Sequence, residues 1–249
     1  MKFAICNEVF EGWTFEKAAS FAAQVGYGAV EIAPFTLAPR VTDLNASDRT
    51  RIRKTADHAG IGIVGIHWVL AKTEGFHITH PDPSVRARTA RYCTELVTFC
   101  ADLGGHIMVF GSPKQRSRLP GVTEAQAWAW AAETLRPAIR LAENRAVTVC
   151  IEPLSTAETD FLNTAEQAIR FARQFDSAHA KIILDVKAMC SESRPLPEII
   201  RTAAPHFAHV HANDRNLKGP GFGDVDFRPI AAALRDVGYN GYVSVEVFD

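Results

Sequence analysis

Short apolar runs alternate with longer amphipathic ones along the whole chain. Residues 3–7, 29–33, 62–68, 106–111, 148–153, 181–186, 208–213 and 242–247 read as eight strands, most of them flanked by glycine or polar residues. Several are nearly unbroken in Val, Ile and Phe, the composition of strands buried on both faces of a parallel sheet. Between them, residues 14–25, 47–59, 83–103, 123–144, 164–175, 196–204 and 227–237 carry a helical period, so seven helices connect eight strands. The punctuation agrees. Asp43, Asn45 and Ser47 supply capping oxygens before one helix, Thr164 followed by Gln167 opens another, and Gly26, Gly60, Gly104 and Gly238 stand just beyond helix ends.

Eight such units in 249 residues average about 31 residues each, the size of a (β/α)₈ barrel. No linker or low-complexity stretch divides the chain, which predicts one α/β domain over residues 1–249. A doubly wound open sheet is the rival fold, but it needs a glycine-rich phosphate loop after its first strand. Here that loop reads Asn7-Glu8-Val9-Phe10-Glu11-Gly12-Trp13, with one glycine and two acids.

Composition narrows the function. The 27 Lys and Arg against 28 Asp and Glu leave a formal charge of -1, which argues against nucleic acid as the main partner. No apolar stretch approaches the ~18 residues of a membrane span. The five cysteines include no C-x-x-C pair and read as reduced core thiols, so a soluble cytoplasmic protein is expected.

In a barrel, polar residues at the C-terminal ends of strands converge on one rim. The fifth strand ends in Val149-Cys150-Ile151-Glu152-Pro153, the sixth in Ile183-Leu184-Asp185, the seventh in His209-Val210-His211 and the eighth in Val243-Ser244-Val245-Glu246. Three carboxylates and an imidazole form a hard, oxygen-rich set suited to Mn²⁺, Mg²⁺ or Co²⁺ rather than to structural zinc. Without a cation the carboxylates would repel one another. His209 shares the face of His211 and reads as a core or supporting residue. Phe10, Trp13, Trp68 and Phe248 read as packing residues by default, with an apolar wall around the ligand as the alternative.

These phrases carry a resemblance. Ile151-Glu152-Pro153-Leu154, Leu184-Asp185-Val186, the run from His209 to Arg215 and Gly241-Tyr242-Val243-Ser244-Val245-Glu246 are similar to the sugar isomerase/epimerase superfamily of xylose isomerase-like TIM barrels. Within it they most resemble the ketose 3-epimerase and hydroxypyruvate isomerase branch. The resemblance extends from Gly28-Ala29-Val30-Glu31-Ile32 through Gly62-Ile63-Val64-Gly65-Ile66-His67 to Glu246. It implies a divalent metal, Mn²⁺ first, held by Glu152, Asp185, His211 and Glu246. It also implies that Glu152 and Glu246 act as catalytic acid and base, with a small carbohydrate as substrate. Glu158 and Arg215 match substrate-binding positions; His67, which ends the third strand, reads as a rim residue that binds substrate or as a hydrogen-bonded structural histidine, and Glu31 is similar.

One departure stands out. Where the epimerase pattern has a substrate-binding histidine three residues after the sixth-strand aspartate, this chain has Ala188, and the neighbouring Lys187 is the candidate replacement donor. The expected activity is a metal-dependent isomerase or epimerase of a small sugar or keto-sugar derivative, working by proton transfer through an enediolate. The alternative in another reaction class is a metal-dependent lyase or dehydratase on a 3-keto sugar, glycoside or inositol derivative. Abasic-site endonuclease chemistry, known in the superfamily, calls for more histidines at the rim, whereas His58, His77, His80 and His179 fall in helices or loops away from the strand ends. A non-enzymatic sugar-binding role would go with a degraded metal site, and the ligands are intact.

Glu246 stands three residues from the last residue, so no full eighth helix is expected after the eighth strand. The apolar flank left between the first and last helices predicts a homo-oligomer.

Overall fold

The structure, a computed structural model, describes residues 1–248. Eight parallel strands close into a barrel in chain order: β1 (Lys2–Cys6), β2 (Ala29–Ile32), β3 (Gly62–Ile66), β4 (Ile107–Phe110), β5 (Thr148–Ile151), β6 (Ala180–Asp185), β7 (Phe207–Ala212) and β8 (Tyr242–Val245). Closure is through β1 and β8, with Phe3 opposite Val243. The helices are α1 (Phe15–Gln24), α2 (Ala46–Ala59), α3 (Pro83–Asp102), α4 (Glu124–Arg145), α5 (Ala165–Ala172), α6 (Val186–Met189), α7 (Leu196–Ala203) and α8 (Phe227–Asp236). Among the described residues no helix is long and apolar enough to cross a membrane.

All eight expected strands form, trimmed by a residue or more at most of their ends. The helix count differs from seven because α6, a single turn, follows β6 directly. The run 164–175 splits as well, α5 giving way to a 3₁₀ turn at Arg173–Phe175. Only Glu246, Val247 and Phe248 follow β8 among the described residues, and none of them is helical.

The helix starts show why these sequences become helices here. The Asn45 side chain accepts the N–H groups of Ser47 and Asp48 while Asp48 accepts that of Asn45, a reciprocal cap repeated by Thr123 and Gln126. Thr164 accepts the N–H of Gln167 to start α5. At the other end of α2, Gly60 takes the left-handed conformation at φ 70°, which glycine adopts without steric cost.

Two apolar layers result. The larger fills the space between helices and barrel, with Leu96, Phe99, Leu135, Phe171 and Ile199 among its fully buried members. Each such side chain stabilises the fold by roughly 1.5–3 kcal/mol. A smaller one plugs the barrel interior with Ala4, Ala29, Val64, Ile107, Val109, Cys150 and Ile183. Above this plug the buried polar groups Glu31, His209, His211 and Ser244 occupy the barrel interior toward the C-terminal strand ends. The register between β2 and β3 slips there: Val30 faces Ile63 but Glu31 faces Gly65, leaving Val64 as the extra residue. Residue 65 must be glycine, because a Cβ would run into the Ile107 backbone of β4.

Candidate metal centre

Parallel strands place their C-terminal ends side by side, and this barrel uses four of them in succession. Glu152 follows β5, its N–H bonded to the Phe110 carbonyl at 3.1 Å. Asp185 is the last residue of β6 and lies opposite His211 of β7. Glu246 follows β8, its N–H bonded to the Ala212 carbonyl at 3.3 Å. One ligand atom from each of Glu152, Asp185, His211 and Glu246 lies within 4.8 Å of all the others, and all four residues are buried. Room for the first of them comes from Gly111, where a Cβ would occupy the place of the Glu152 carboxylate.

Three buried carboxyl groups this close divide their charge unequally. Burial, Glu246 and Asp185 together push Glu152 up to about 8. Burial and then Glu246 push Asp185 up to about 6. For Glu246 burial is outweighed by His211 and His67, which hold its carboxyl far below the usual range. His211 is shifted well upward, burial being outweighed by Glu246 and Glu31. A divalent cation would relieve the repulsion that raises Glu152 and Asp185. The donor set fits one in a second respect: His211 Nδ1 is buried without a hydrogen bond although Glu246 Oε2 is 3.2 Å away, a polar atom that a bound cation would satisfy.

A second layer of polar contacts supports these four. Asn213 Nδ2 donates to Asp185 Oδ2 at 2.6 Å and to Glu246 Oε2 at 3.3 Å, while its Oδ1 accepts the Lys187 N–H at 2.8 Å. Asp185 Oδ1 accepts the Ala188 N–H at 2.6 Å and so also caps α6. The fully buried Arg116 donates from Nη1 to the Glu152 carbonyl at 2.6 Å and from Nη2 to the Leu162 carbonyl at 3.3 Å. Glu31 lies against His209 Nε2 at 2.7 Å and His211 Nε2 at 3.2 Å, with the Cys6 thiol 3.9 Å away. Burial would raise the Glu31 carboxyl, but His209 and His211 outweigh it and hold the group well below its ordinary value.

His67 and Glu31 are both fully buried, at 0% exposure, and His67 takes the hydrogen-bonded arrangement of the structural alternative. His67 spends both ring nitrogens on carboxylates, Nδ1 on Glu246 at 3.1 Å and Nε2 on Glu8 at 2.9 Å. It therefore braces Glu246 from behind.

Lys187 and Glu158 meet above the centre, Lys187 Nζ donating to Glu158 Oε1 at 2.8 Å while Ser155 Oγ donates to Glu158 Oε2 at 2.8 Å. Lys187 Nζ also lies 4.5 Å from the centre of the Phe248 ring. Both residues line a shallow cavity of about 530 Å³ together with Arg215, which is exposed on the loop after β7. A second cavity, of about 610 Å³, is lined by Glu8, Phe10, Trp13, Phe35, Trp68 and Phe248. Trp68 borders both and packs edge-on against Phe35 and Phe248 at 5.5 and 5.9 Å. Its φ of 49° is a left-handed conformation that a bulky residue adopts at a cost of order 1–3 kcal/mol. So Trp68 and Phe248, which read as packing residues in the sequence, stand on the walls of both cavities.

Sequence reasoning missed Asn213, Glu8 and Arg116 as members of the site. Asn213 had a signal, since it lies two residues beyond His211 on the same face of an extended segment. Glu8 and Arg116 lie in polar connecting segments beyond strands β1 and β4, where nothing in the sequence sets them apart from their polar neighbours.

Comparison with known proteins agrees with this geometry. Residues 19–249 match the family described as a xylose isomerase-like TIM barrel. The D-psicose 3-epimerase of Ruminiclostridium cellulolyticum is 28% identical over 228 residues, covering 91% of this chain and 75% of the relative. That of Agrobacterium fabrum is 26% identical over 95% of this chain and 82% of its own. Among solved structures, D-psicose 3-epimerase with D-tagatose from Clostridium cellulolyticum H10 superposes with a TM-score of 0.89 at 25% identity, covering 100% of this chain and 85% of the other.

Proposed function

We propose, from the premise that this chain belongs to the xylose isomerase-like TIM-barrel family, that it is a divalent-metal-dependent isomerase or epimerase of a small sugar or keto-sugar derivative. The observation that carries this reading is the meeting of Glu152, Asp185, His211 and Glu246 from four successive strands in one buried cluster. Epimerase activity in relatives that align over most of the chain supports the reaction class.

Glu152, Asp185, His211 and Glu246 would hold the ion. Their hard donors favour Mn²⁺, with Mg²⁺ and Co²⁺ as alternatives. When bound, the cation supplies Lewis-acid stabilisation of the negative charge that grows on the substrate's oxygens. Removing a proton next to a carbonyl yields an enediolate, and a carboxylate is too weak a base to form it unless that charge is stabilised. The two glutamates then divide the proton work. The two stand in unlike surroundings: in the metal-free chain burial and acidic neighbours raise Glu152, while His211 and His67 hold Glu246 low. Each takes or returns a proton on its own face of the substrate, and the roles exchange with the direction of reaction.

Lys187, Glu158 and Arg215 bind the substrate's hydroxyl or acidic groups at the rim. The Ala188 side chain, 2% exposed, has no polar atom to offer, so Lys187 is the donor on this segment. His67 serves the same reaction by holding Glu246. The absence of disulfides among the described cysteines supports a reducing, cytoplasmic location. An apolar groove of about 480 Å³, lined by Phe3, Val25, Tyr27, Phe227, Leu234 and Val243, supports self-association.

Incubation with Mn²⁺ and a panel of ketoses, keto-acids and 3-keto glycosides in D₂O tests the reading. Deuterium should enter one carbon of the substrate and of a stereoisomeric product, and Glu152→Gln and Glu246→Gln should each abolish the exchange. An unsaturated product would replace this reading with elimination, and no exchange over the whole panel would overturn it.

A further inference from the structure

A carboxylate inside a barrel is expensive, several kcal/mol after relaxation unless it is paired and hydrogen-bonded. Glu31 accepts that cost at 0% exposure, above an interior plug otherwise built of small apolar side chains. His209 alone, at 2.7 Å, supplies it with a strong partner. Yet both carboxylate oxygens also lie 3.2 Å from His211 Nε2, across the barrel and 180 residues away in sequence. The other nitrogen of that ring, Nδ1, lies in the carboxylate cluster without a hydrogen bond.

We infer that Glu31 is the positioning residue of the metal centre: it accepts the Nε2–H of His211, fixes the tautomer and the rotation of that ring, and leaves the Nδ1 lone pair directed at Glu152, Asp185 and Glu246. The inference rests on the metal reading only for its effect on affinity. The ring's contacts favour a proton on Nε2, because Nε2 makes hydrogen bonds with both Glu31 oxygens whereas Nδ1, at the same 3.2 Å from Glu246, makes none. Rotation of the ring would break the contact with Glu31 and leave a buried carboxylate facing a ring carbon. The Cys6 thiol and His209 Nε2 are the remaining donors to Glu31, and Ser244 Oγ lies 3.2 Å from His209 Nε2. These contacts hold Glu31 in place, and Glu31 holds His211. Outer carboxylates of this kind raise the basicity of the ligand they orient.

Two measurements on the full chain test this. In ¹⁵N-histidine-labelled protein, with Zn²⁺ or metal-free, His211 should show a proton on Nε2, identified by its absence from the His211→Gln spectrum. A bare Nε2 overturns the inference. In Mn²⁺ titration calorimetry, Glu31→Gln should weaken binding by roughly 10–100-fold, beyond any change in the metal-free melting temperature. A variant that melts earlier yet binds Mn²⁺ within about twofold of wild type would reduce Glu31 to a structural role and overturn the inference. Should Glu31→Gln fail to fold, the wild-type His211 spectrum decides by itself. If the wild type binds no divalent cation, the metal reading fails, while the metal-free spectrum still decides whether Glu31 orients the ring.

Discussion

Gly111 faces Glu152 so closely that a Cβ on residue 111 would displace the Glu152 carboxylate from the centre. The glycine is required for space, since its backbone is not in the left-handed region. Gly111→Ala should therefore lower Mn²⁺ affinity and turnover at least tenfold. The stability loss should stay near the ~1–3 kcal/mol typical of overpacking. Calorimetric titration beside a thermal melt separates the two effects. An alanine variant that binds Mn²⁺ like wild type would show that Glu152 is not a ligand.

The charge distribution in the cluster predicts a pH dependence with a definite sign. Glu152, pushed up to about 8 from an ordinary 4.5, keeps a proton in the folded, metal-free chain that the unfolded chain has released. Its contribution to stability is thus complete below about pH 4.5 and is lost as the pH rises through 8. Asp185, pushed up to about 6, works in the same direction, as do His67 and His211, both raised by neighbouring carboxylates despite their burial. Glu246, held low, opposes them only in acid. The metal-free melting temperature should fall between about pH 5 and pH 8. Mn²⁺ must displace the proton on Glu152, so apparent affinity should climb about tenfold per pH unit toward pH 8. Calorimetry in buffers of different ionisation enthalpy reads that release directly, and no buffer dependence at pH 7 would sink the prediction.

What the sequence made legible, and what it hid, follows from how each residue is used. The strands were readable because a strand buried on both faces is an apolar run, and Glu152, Asp185, His211 and Glu246 were readable as a candidate cluster because each is a polar residue at or next to the end of one. The turn α6 was hidden because four residues are too few to show a helical period and Val186 extends the apolar run of β6. Its start signal is Asp185, which caps the turn and at the same time belongs to the candidate metal cluster. His67 and Glu31 also end strands, and only three-dimensional contacts distinguish a strand-end residue facing solvent from one turned onto another ligand. Arg116 left no trace because its hydrogen-bond acceptors are backbone carbonyls, which any residue supplies.

Lys187 and Glu158 form a partly shielded ion pair over the centre, with 15% and 28% of their side chains exposed. Burial would raise the Glu158 carboxyl, but Lys187 outweighs it and keeps the group ionised. A pair with this much solvent contact adds little to stability, about 1 kcal/mol or less. Lys187→Ala should therefore melt within a few degrees of wild type. Its kcat/KM should nevertheless fall at least tenfold, because α6, the turn that follows β6, carries no other cationic side chain. Unchanged kinetics on the true substrate would assign Lys187 to the solvated surface.

The groove between α1 and α8 marks where the barrel lacks cover among the described residues. Phe3 of β1 is 59% exposed and Val25, just beyond α1, 54%, beside the half-buried Tyr27 and Phe227. Apolar side chains gathered in one concave surface gain roughly 25 cal/mol for every Å² removed from water. Scattered single exposures would call for no partner, but a contiguous groove does. A second copy burying this face on each side supplies one without any further component. The chain should run as a dimer or larger closed assembly in light scattering at micromolar concentration. Phe3→Glu should shift it toward monomer, because the interface would have to bury an unpaired carboxylate. Phe3 lies at the N-terminal end of β1, away from the metal centre, so the monomer should retain Mn²⁺ binding. A wild-type protein that is monodisperse and monomeric would leave the groove to another occupant and overturn this assignment.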